Sequence, residues 1–182
     1  LYLLPLLKTY GVIVIYYSTF LPPTGTCLEI DMLSWFMMLV FSSLAFLVCI
    51  YSISYMKDDT GLDKYYSLLL TILGGMIGIV MAGDFFTLFI TWETMALSSY
   101  VLVAFRKDKW EPVEAGMKYL LMNAGGSTLV LFTMSLLYGL TGTLNLAYMA
   151  TALRSTSPSP MLYIIIALLI IGFGIKASIV PL

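Results

Sequence analysis

Long apolar stretches separated by short charged clusters constrain this chain more than any other feature. Five of them are predicted to be membrane-crossing helices, at residues 30–56, 65–83, 84–105, 112–139 and 161–182. Each is close to or longer than the roughly 20 residues that a helix needs to cross a hydrocarbon core. A sixth stretch, residues 1–21, is a weaker candidate because Pro5 and Lys8 interrupt it. We therefore predict an all-α membrane protein built as a multi-span helical bundle.

The composition excludes several other classes of protein. The chain is 60% hydrophobic and 10% charged, whereas soluble domains carry roughly 25% charged residues. A net charge of −1 gives no basic surface for nucleic acid. The chain has no histidine, so zinc sites and histidine proton relays are not expected. Cys27 and Cys49 are interpreted as small apolar residues, not as a disulfide, and no metal site is predicted.

The two ends of the chain both lie in apolar sequence. Residue 1 is leucine, and Pro181 and Leu182 closely follow a lysine in an apolar stretch. We interpret the chain as part of a longer polypeptide whose first apolar stretch is a trimmed span. That stretch is not expected to be a signal peptide, since it lacks an early basic region and a small-residue cleavage site.

The connections between the predicted spans are short and rich in turn residues. Asp84 follows Gly83 and is a natural N-cap for the next helix. We expect Asp84 and Glu111 to be solvated turn residues. The longest connection, residues 140–160, contains a possible short amphipathic helix at 144–153, which would lie at the membrane interface. Gly74 and Gly78 have the spacing of a close helix–helix contact.

Basic residues predict the orientation in the membrane, because cytoplasmic loops carry an excess of lysine and arginine. With alternating spans, residues 57–64 and 106–111 lie on one side, and residues 22–29 and 140–160 lie on the other. The first side should be cytoplasmic, since the second holds only Arg154 and the first holds five basic residues: Lys57, Lys64, Arg106, Lys107 and Lys109.

Glu93 is the only interior charge of the stretch 84–105. A charged side chain at mid-membrane costs at least ~2.5–3.5 kcal/mol, so such residues need a partner and are candidates for function. On a helical wheel, Glu93 points about 130° away from a stripe of hydroxyl residues that can bond back to the preceding turn: Thr87, Thr91, Thr94 and Ser98. Glu93 is predicted to reach another helix or water. The alternative is a protonated glutamate that only serves helix packing.

Lys176 is the predicted partner of Glu93 and lies deep in the last apolar stretch. Two glycines, Gly172 and Gly174, precede it, and Pro181 follows, so the helix is predicted to be broken nearby. A broken helix is tolerated in a membrane where the site is buried in protein or lines a wet cavity. The alternative is a lysine that snorkels to the interface.

Lys118 is a weaker candidate for ion translocation, about two turns inside the span that starts at Pro112. Glu114 precedes it by four residues, which is the favourable orientation for a helical ion pair. A snorkelling Lys118 paired with Glu114 remains the alternative.

For Glu93 and Lys176, we expect a switch: separating the two charges would remove the lysine's counter-ion and favour release of its proton to a water path.

Four segments resemble one known family, the antiporter-like membrane subunits of respiratory complex I, Mrp-type Na+/H+ antiporters and membrane-bound hydrogenases. The segments are residues 31–55, 83–100 with Trp92-Glu93, 114–143, and 173–182 with the pattern Lys-x-x-x-x-Pro-Leu. The resemblance implies an inverted-repeat fold with a broken helix near Lys176. Residues 1–29 would be a leading span and loop, and residues 30–182 part of the first repeat.

The resemblance also implies a function. Glu93 and Lys176 would form an intramembrane ion pair in a proton- or sodium-translocating subunit of a redox-driven complex. Its partners would be other membrane subunits, including related antiporter-like ones, within the lipid bilayer of a prokaryotic or organellar membrane. The family subunit holds no redox cofactor. Two alternatives stay open: a standalone or Mrp-type cation/proton antiporter without redox partners, and a structural membrane scaffold.

Overall fold

The computed structural model describes residues 3–19 and 25–179, which form helices and one small hairpin. The helices Met32–Tyr55, Leu62–Val80, Phe85–Val103 and Trp110–Thr141 are long and apolar enough to cross a membrane, and Pro160–Lys176, with 17 residues, is a shorter apolar helix. The predicted multi-span helical bundle is confirmed. The elements in chain order are α1 (Leu3–Tyr10), β1 (Ile13–Tyr16), β2 (Cys27–Ile30), α2 (Met32–Tyr55), α3 (Leu62–Val80), α4 (Phe85–Val103), α5 (Trp110–Thr141), α6 (Leu146–Ser155) and α7 (Pro160–Lys176).

The first apolar stretch differs from the prediction of a span at residues 1–21. Helix α1 has 8 residues, which is about 12 Å of helix and too short to cross a membrane. It ends before Gly11, whose φ of +76° is the left-handed conformation that glycine accepts easily. The apolar, β-branched residues that follow form β1, which pairs antiparallel with β2 and places Ile13 opposite Ile30. Within the described residues, the continuous span was therefore a wrong prediction.

Polar side chains cap the starts of four helices. Asp31 accepts a hydrogen bond from the Ser34 N–H at 2.7 Å, and Asp84 accepts one from the Thr87 N–H at 2.8 Å. Asn145 is the N-cap of α6, a helix of 10 residues that lies close to the predicted 144–153, and Ser159 is the N-cap of α7. At about 15 Å, α6 is too short to span a bilayer. The hydrogen bonds from Ser34 hold the pKa of the Asp31 carboxyl below its usual value.

The connections meet in two groups, as alternating spans require. At one end, the Arg106 guanidinium donates to Asp59 with an Nη2–Oδ2 distance of 2.8 Å, and it lies 5.5 Å from the ring centroid of Tyr55. The hydrogen bonds from Arg106 hold the pKa of the Asp59 carboxyl below its usual range. At the other end, strand β2 and the turns before α4 and α6 contact one another: the Gly83 N–H donates to Cys27 O at 3.1 Å.

Asp84 joins these turns and is buried, with 2% of its surface exposed. Its Oδ2 accepts hydrogen bonds from the Cys27 N–H at 2.9 Å and the Thr87 hydroxyl at 2.6 Å. The next residue, Phe85, donates its N–H to Leu144 O at 2.9 Å. Burial and the nearby Asp84 carboxylate raise the pKa of the Cys27 thiol. Asp84 is the predicted N-cap, but the expectation that it is solvated was wrong, because strand β2 covers it.

Replacing Asp84 by alanine should destabilise the bundle strongly. The change removes the N-cap of α4, which is worth about 1 kcal/mol. It also leaves the buried Cys27 N–H without the Asp84 acceptor, at about 1–3 kcal/mol for such a loss. We expect a clearly lower apparent melting temperature in mild detergent. Asp58→Ala, at an exposed position after α2, is the control and should melt like the parent protein; equal melting of both variants would contradict the assigned role.

The glycines on α3 that contact α4 are Gly75 and Gly78, not Gly74 and Gly78 as predicted. A Cβ at Gly75 would lie 2.7 Å from Met95 Cβ and 2.9 Å from Thr91 O, and one at Gly78 would lie 2.5 Å from Thr91 Cγ2. A Cβ at Gly74 would meet nothing within 4 Å. The spacing rule identified the correct helix and Gly78, but it chose Gly74 in place of Gly75. Which glycine faces α4 depends on how α3 is rotated against α4.

Candidate ion-pair site

Glu93 lies near the middle of α4, eight residues after Phe85, or about 12 Å along the helix. Three residues of the hydroxyl stripe bond back to carbonyls of the preceding turn as predicted: Thr91, Thr94 and Ser98. Thr87 instead donates to Asp84. The Glu93 carboxylate points away from this stripe and contacts α5 and α7, so the prediction that it reaches another helix is confirmed.

Lys176 is the partner of Glu93. The Lys176 Nζ lies 2.6 Å from Glu93 Oε1, although 83 residues separate the two in the chain. The Lys176 side chain is only 3% exposed and that of Glu93 is 26% exposed. The ammonium is thus buried within this chain and does not snorkel, and the predicted pairing of the two side chains is confirmed.

Lys176 is also the last residue of α7. Ala177 caps the helix, and Ser178 has a φ of +54°, so the backbone turns immediately after the lysine. This end lies where the sequence predicted a break; residues 180–182, including Pro181, lie outside the described residues. A positive charge at a helix C-terminus is favourable because the helix dipole is negative there.

The prediction that the glycines before Lys176 interrupt the helix was wrong. Helix α7 continues through Gly172 and Gly174, both of which are buried. A Cβ at Gly172 would lie 2.8 Å from Val130 Cγ2 and 3.3 Å from Gly126 O, so the missing side chain lets α7 approach α5 closely. This contact brings the end of α7 to the level of Glu93.

Two further residues at the site were not predicted. The Ser127 hydroxyl on α5 donates to Glu93 Oε1 at 2.7 Å, so the carboxylate accepts from two neighbouring helices. The ring of Trp92 lies 5.8 Å, centroid to Nζ, from the Lys176 ammonium. In the sequence, Ser127 is a small residue next to two glycines, and Trp92 is part of the Trp-Glu motif. Neither residue type by itself indicates an ion-pair contact.

Lys118 lies apart from this pair. Its Nζ is 2.6 Å from Glu114 Oε1, as the i,i+4 spacing predicted, and the two side chains are 71% and 43% exposed. Lys118 precedes Ser127 by nine residues on α5, which is about 13–14 Å along the helix. A role of Lys118 in ion translocation stays a prediction.

No cluster of three or more histidine, cysteine, aspartate or glutamate residues that could hold a metal ion occurs in the described part of the chain, residues 3–19 and 25–179. The described cysteines, Cys27 and Cys49, are free thiols as predicted. The groups that meet at the ion-pair site are a carboxylate, an ammonium and a hydroxyl. Such a group can bind or pass a proton or a small cation.

Apolar helices that could cross a membrane, together with an ion pair between α4 and α7 that also accepts a hydrogen bond from α5, define an integral membrane protein with an intramembrane charge site. The family described as NADH:quinone oxidoreductase/Mrp antiporter, TM, matches residues 82–182, which include both charges. A second family, NADH-ubiquinone oxidoreductase (complex I), chain 5 N-terminus, matches residues 24–66. The chain belongs to the NADH:quinone oxidoreductase/Mrp antiporter transmembrane family.

Similar proteins and structures support this membership. NADH-quinone oxidoreductase subunit N of Desulforamulus reducens is 34% identical over 98% of this chain and 38% of its own length. F(420)H(2) dehydrogenase subunit N of Methanosarcina mazei is 34% identical over 85% of this chain and 31% of its own length. The chain thus spans less than two-fifths of these relatives.

Two solved structures have the same fold. A chain of the membrane-bound sulfane sulfur reductase, an archaeal respiratory membrane complex, superposes with a TM-score of 0.88 at 33% identity, over 97% of this chain and 36% of that one. A chain of the Mrp complex from Dietzia superposes with a TM-score of 0.75 at 27% identity, over 97% of this chain and 33% of that one. The predicted resemblance to antiporter-like subunits is confirmed.

Proposed function

We propose that this chain is part of a proton- or sodium-translocating subunit of a redox-driven membrane complex, and that Glu93 and Lys176 carry the translocated charge. The observation behind the proposal is the 2.6 Å pair between a lysine that is 3% exposed and a carboxylate in the middle of a membrane helix. Residues 30–182 would be the first-repeat portion of the subunit, and residues 1–29 would precede it.

The energetics of the pair favour a functional role. Two charges taken out of water lose several kcal/mol of hydration each, and their mutual attraction often does no better than apolar packing of the same volume. A membrane bundle held only by packing has no need of such a pair. A pair that can open has a use, because the charge state of each partner depends on the other. Opening would favour release of a proton from the lysine to a water path, and closing would favour its uptake again.

The names of similar proteins support the redox-driven reading. Among them are a subunit of an NADH-quinone oxidoreductase, a subunit of an F(420)H(2) dehydrogenase and a chain of a sulfane sulfur reductase complex. We propose that the partners here are likewise other membrane subunits, including antiporter-like ones, and that electrons flow in those partners while this chain holds no redox cofactor. Co-purified iron–sulfur subunits would support this assignment.

An Mrp-type antiporter is the second candidate, and the superposition on a chain of the Mrp complex favours it. It differs in its partners: no electron-transfer subunit would co-purify, and an imposed ion gradient alone would drive exchange. A structural scaffold is the third reading, in which neutralising Lys176 changes stability only. For all three, the direct test is ion flux in sealed vesicles that carry Glu93→Gln; normal flux would contradict a translocating role.

The proposed sidedness can be tested with single cysteines in a background where Cys27 and Cys49 are alanine. Asp108→Cys and Ser157→Cys place thiols at exposed positions in opposite groups of connections. A membrane-impermeant maleimide should label position 157 in intact cells and position 108 only in inverted vesicles, because the loop with Arg106, Lys107 and Lys109 is proposed to be cytoplasmic. The reverse pattern would show that the orientation is inverted.

A further inference from the structure

The Lys176 ammonium has two partners on α4 that differ in kind. One is the Glu93 carboxylate at 2.6 Å, and the other is the ring of Trp92, whose centroid lies 5.8 Å from Nζ. A cation within about 6 Å of an indole centroid is attracted by the electrons of the ring face, and tryptophan is the best of the aromatic residues for this contact. The two neighbouring residues of α4 therefore both attract one lysine.

Stacked aromatic residues hold the Trp92 ring in place. Trp92 stacks on Phe173 with centroids 5.0 Å apart and an interplanar angle of 21°. The ring centroid of Phe173 also lies 6.2 Å from that of Phe85, the first residue of α4. Because Phe173 precedes Lys176 by three residues on α7, it lies on the same face of that helix as the lysine. The helix that carries the ammonium thus also orients the ring beside it.

A lysine that loses its carboxylate at this depth needs another stabilising contact. Its side chain is 3% exposed, so water cannot simply replace Glu93. An indole face that is already within range can hold the ammonium in part, since cation–π contacts become stronger when the cation is desolvated. Trp92 and Ser127 thus contact opposite partners of the pair: the ring is near the ammonium, and the hydroxyl donates to the carboxylate.

We propose that the indole face of Trp92 is a second binding position for the Lys176 ammonium, occupied when the ion pair with Glu93 opens. This inference rests on the proposed translocating function, in which the pair opens during each cycle. Trp92 acts as a positioning residue: it keeps the ammonium near α4, so that the pair can close again. When Glu93 becomes neutral, the Lys176 ammonium would stay at the Trp92 ring and would not leave the bundle.

The first test is the rate of ion flux of the full-length subunit in native-membrane vesicles carrying Trp92→Phe or Trp92→Leu. We expect an intermediate loss for phenylalanine and about a tenfold loss for leucine, which is the change that ~1.4 kcal/mol produces. Phe85→Leu is the control, because it removes the other ring that packs against Phe173, whereas the ring beside the Lys176 ammonium is that of Trp92. Equal rates for Trp92→Leu and Phe85→Leu would reduce Trp92 to a packing residue and overturn the proposal.

The second test does not depend on flux. Residues 1–182 hold three tryptophans, so replacing Trp35 and Trp110 by phenylalanine, together with any tryptophan elsewhere in the full-length subunit, leaves Trp92 as the indole emitter. Relative to the single-tryptophan parent, the emission maximum should shift in opposite directions in the two variants. Lys176→Met removes the ammonium from the ring, and Glu93→Gln lets the ammonium move closer to it. An emission maximum that is the same in all three proteins would overturn the proposal.

The two failures can be told apart. If Glu93→Gln abolishes flux but the Trp92 variants match the Phe85 control, the proposed function stands and the second position is wrong. If Glu93→Gln leaves flux normal, the proposed function is wrong, and the emission spectra alone decide whether the ammonium occupies the ring. If Trp92→Leu fails to accumulate, Trp92→Phe and the spectra still decide.

Discussion

Replacing Glu93 by glutamine is expected to abolish ion translocation while the subunit stays assembled in the membrane. Glutamine keeps the shape of the side chain and an oxygen that can accept from Ser127 and Lys176, but it carries no charge and binds no proton. Removing one partner of a buried pair destabilises a protein by about 3–5 kcal/mol when a charge is left without any acceptor. The amide oxygen of glutamine still offers the lysine an acceptor, so the subunit should stay assembled while the loss of the proton-binding group removes ion flux. The measurement is ion flux in sealed vesicles, together with recovery of the subunit and its partners after mild solubilisation.

Glu114→Gln is the matched control. Glu114 also lies 2.6 Å from a lysine, Lys118, but both side chains are largely exposed, at 43% and 71%. Exposed pairs of this kind are worth about 0–1 kcal/mol, so flux should stay within a few-fold of the parent. If Glu93→Gln were as mild as Glu114→Gln, the carboxylate would not carry the translocated charge. A large loss in Glu114→Gln would instead support the predicted role of Lys118.

Replacing Gly75 by alanine is expected to disrupt the contact between α3 and α4. The new Cβ would lie 2.9 Å from both the N and the O of the α4 backbone, at Met95 and Thr91. A flexible side chain could turn away, but backbone cannot, so one helix must shift; overpacking of this kind costs about 1–3 kcal/mol or more. We expect a large fall in the apparent melting temperature in detergent.

Gly74→Ala is the control for this prediction, because a Cβ there meets nothing within 4 Å. Alanine is the better helix former by about 1 kcal/mol in soluble helices, so the control should be neutral or slightly stabilising. Since α4 also carries Glu93, Gly75→Ala should lower ion flux together with stability. Similar melting of the two variants would show that α3 and α4 are not packed as described.

Helical periodicity and depth predicted the pair of Glu93 and Lys176, because both can be read along one helix. The hydroxyl stripe and the direction of Glu93 on α4 follow from about 100° of rotation per residue. The pairing with Lys176 followed from cost: only one other charge lay comparably deep in an apolar stretch. These inferences needed no knowledge of which helices are neighbours.

Other contacts between distant segments could not be predicted in this way. Asp84 looks like a solvated cap until strand β2 is placed over it, and Cys27, which donates its N–H to that carboxylate, lies 57 residues away. A continuous helix was predicted for residues 1–21, but α1 ends before Gly11 and the residues after it form β1, because Gly11 turns the chain and β2 offers a partner strand. The rotation of α3 against α4 decides that Gly75, and not Gly74, faces its neighbour.

The sequence by itself determined a bundle of apolar helices with one glutamate and one lysine too deep to remain unpaired, because the cost of a charge in hydrocarbon depends on depth and not on the fold. The tertiary structure decided which groups surround that pair. Ser127 donates to the carboxylate and Trp92 lies beside the ammonium, since the close approach of Gly172 to α5 sets the position of the end of α7. Packing of this kind depends on the rotation and translation of whole helices, and no local pattern records either.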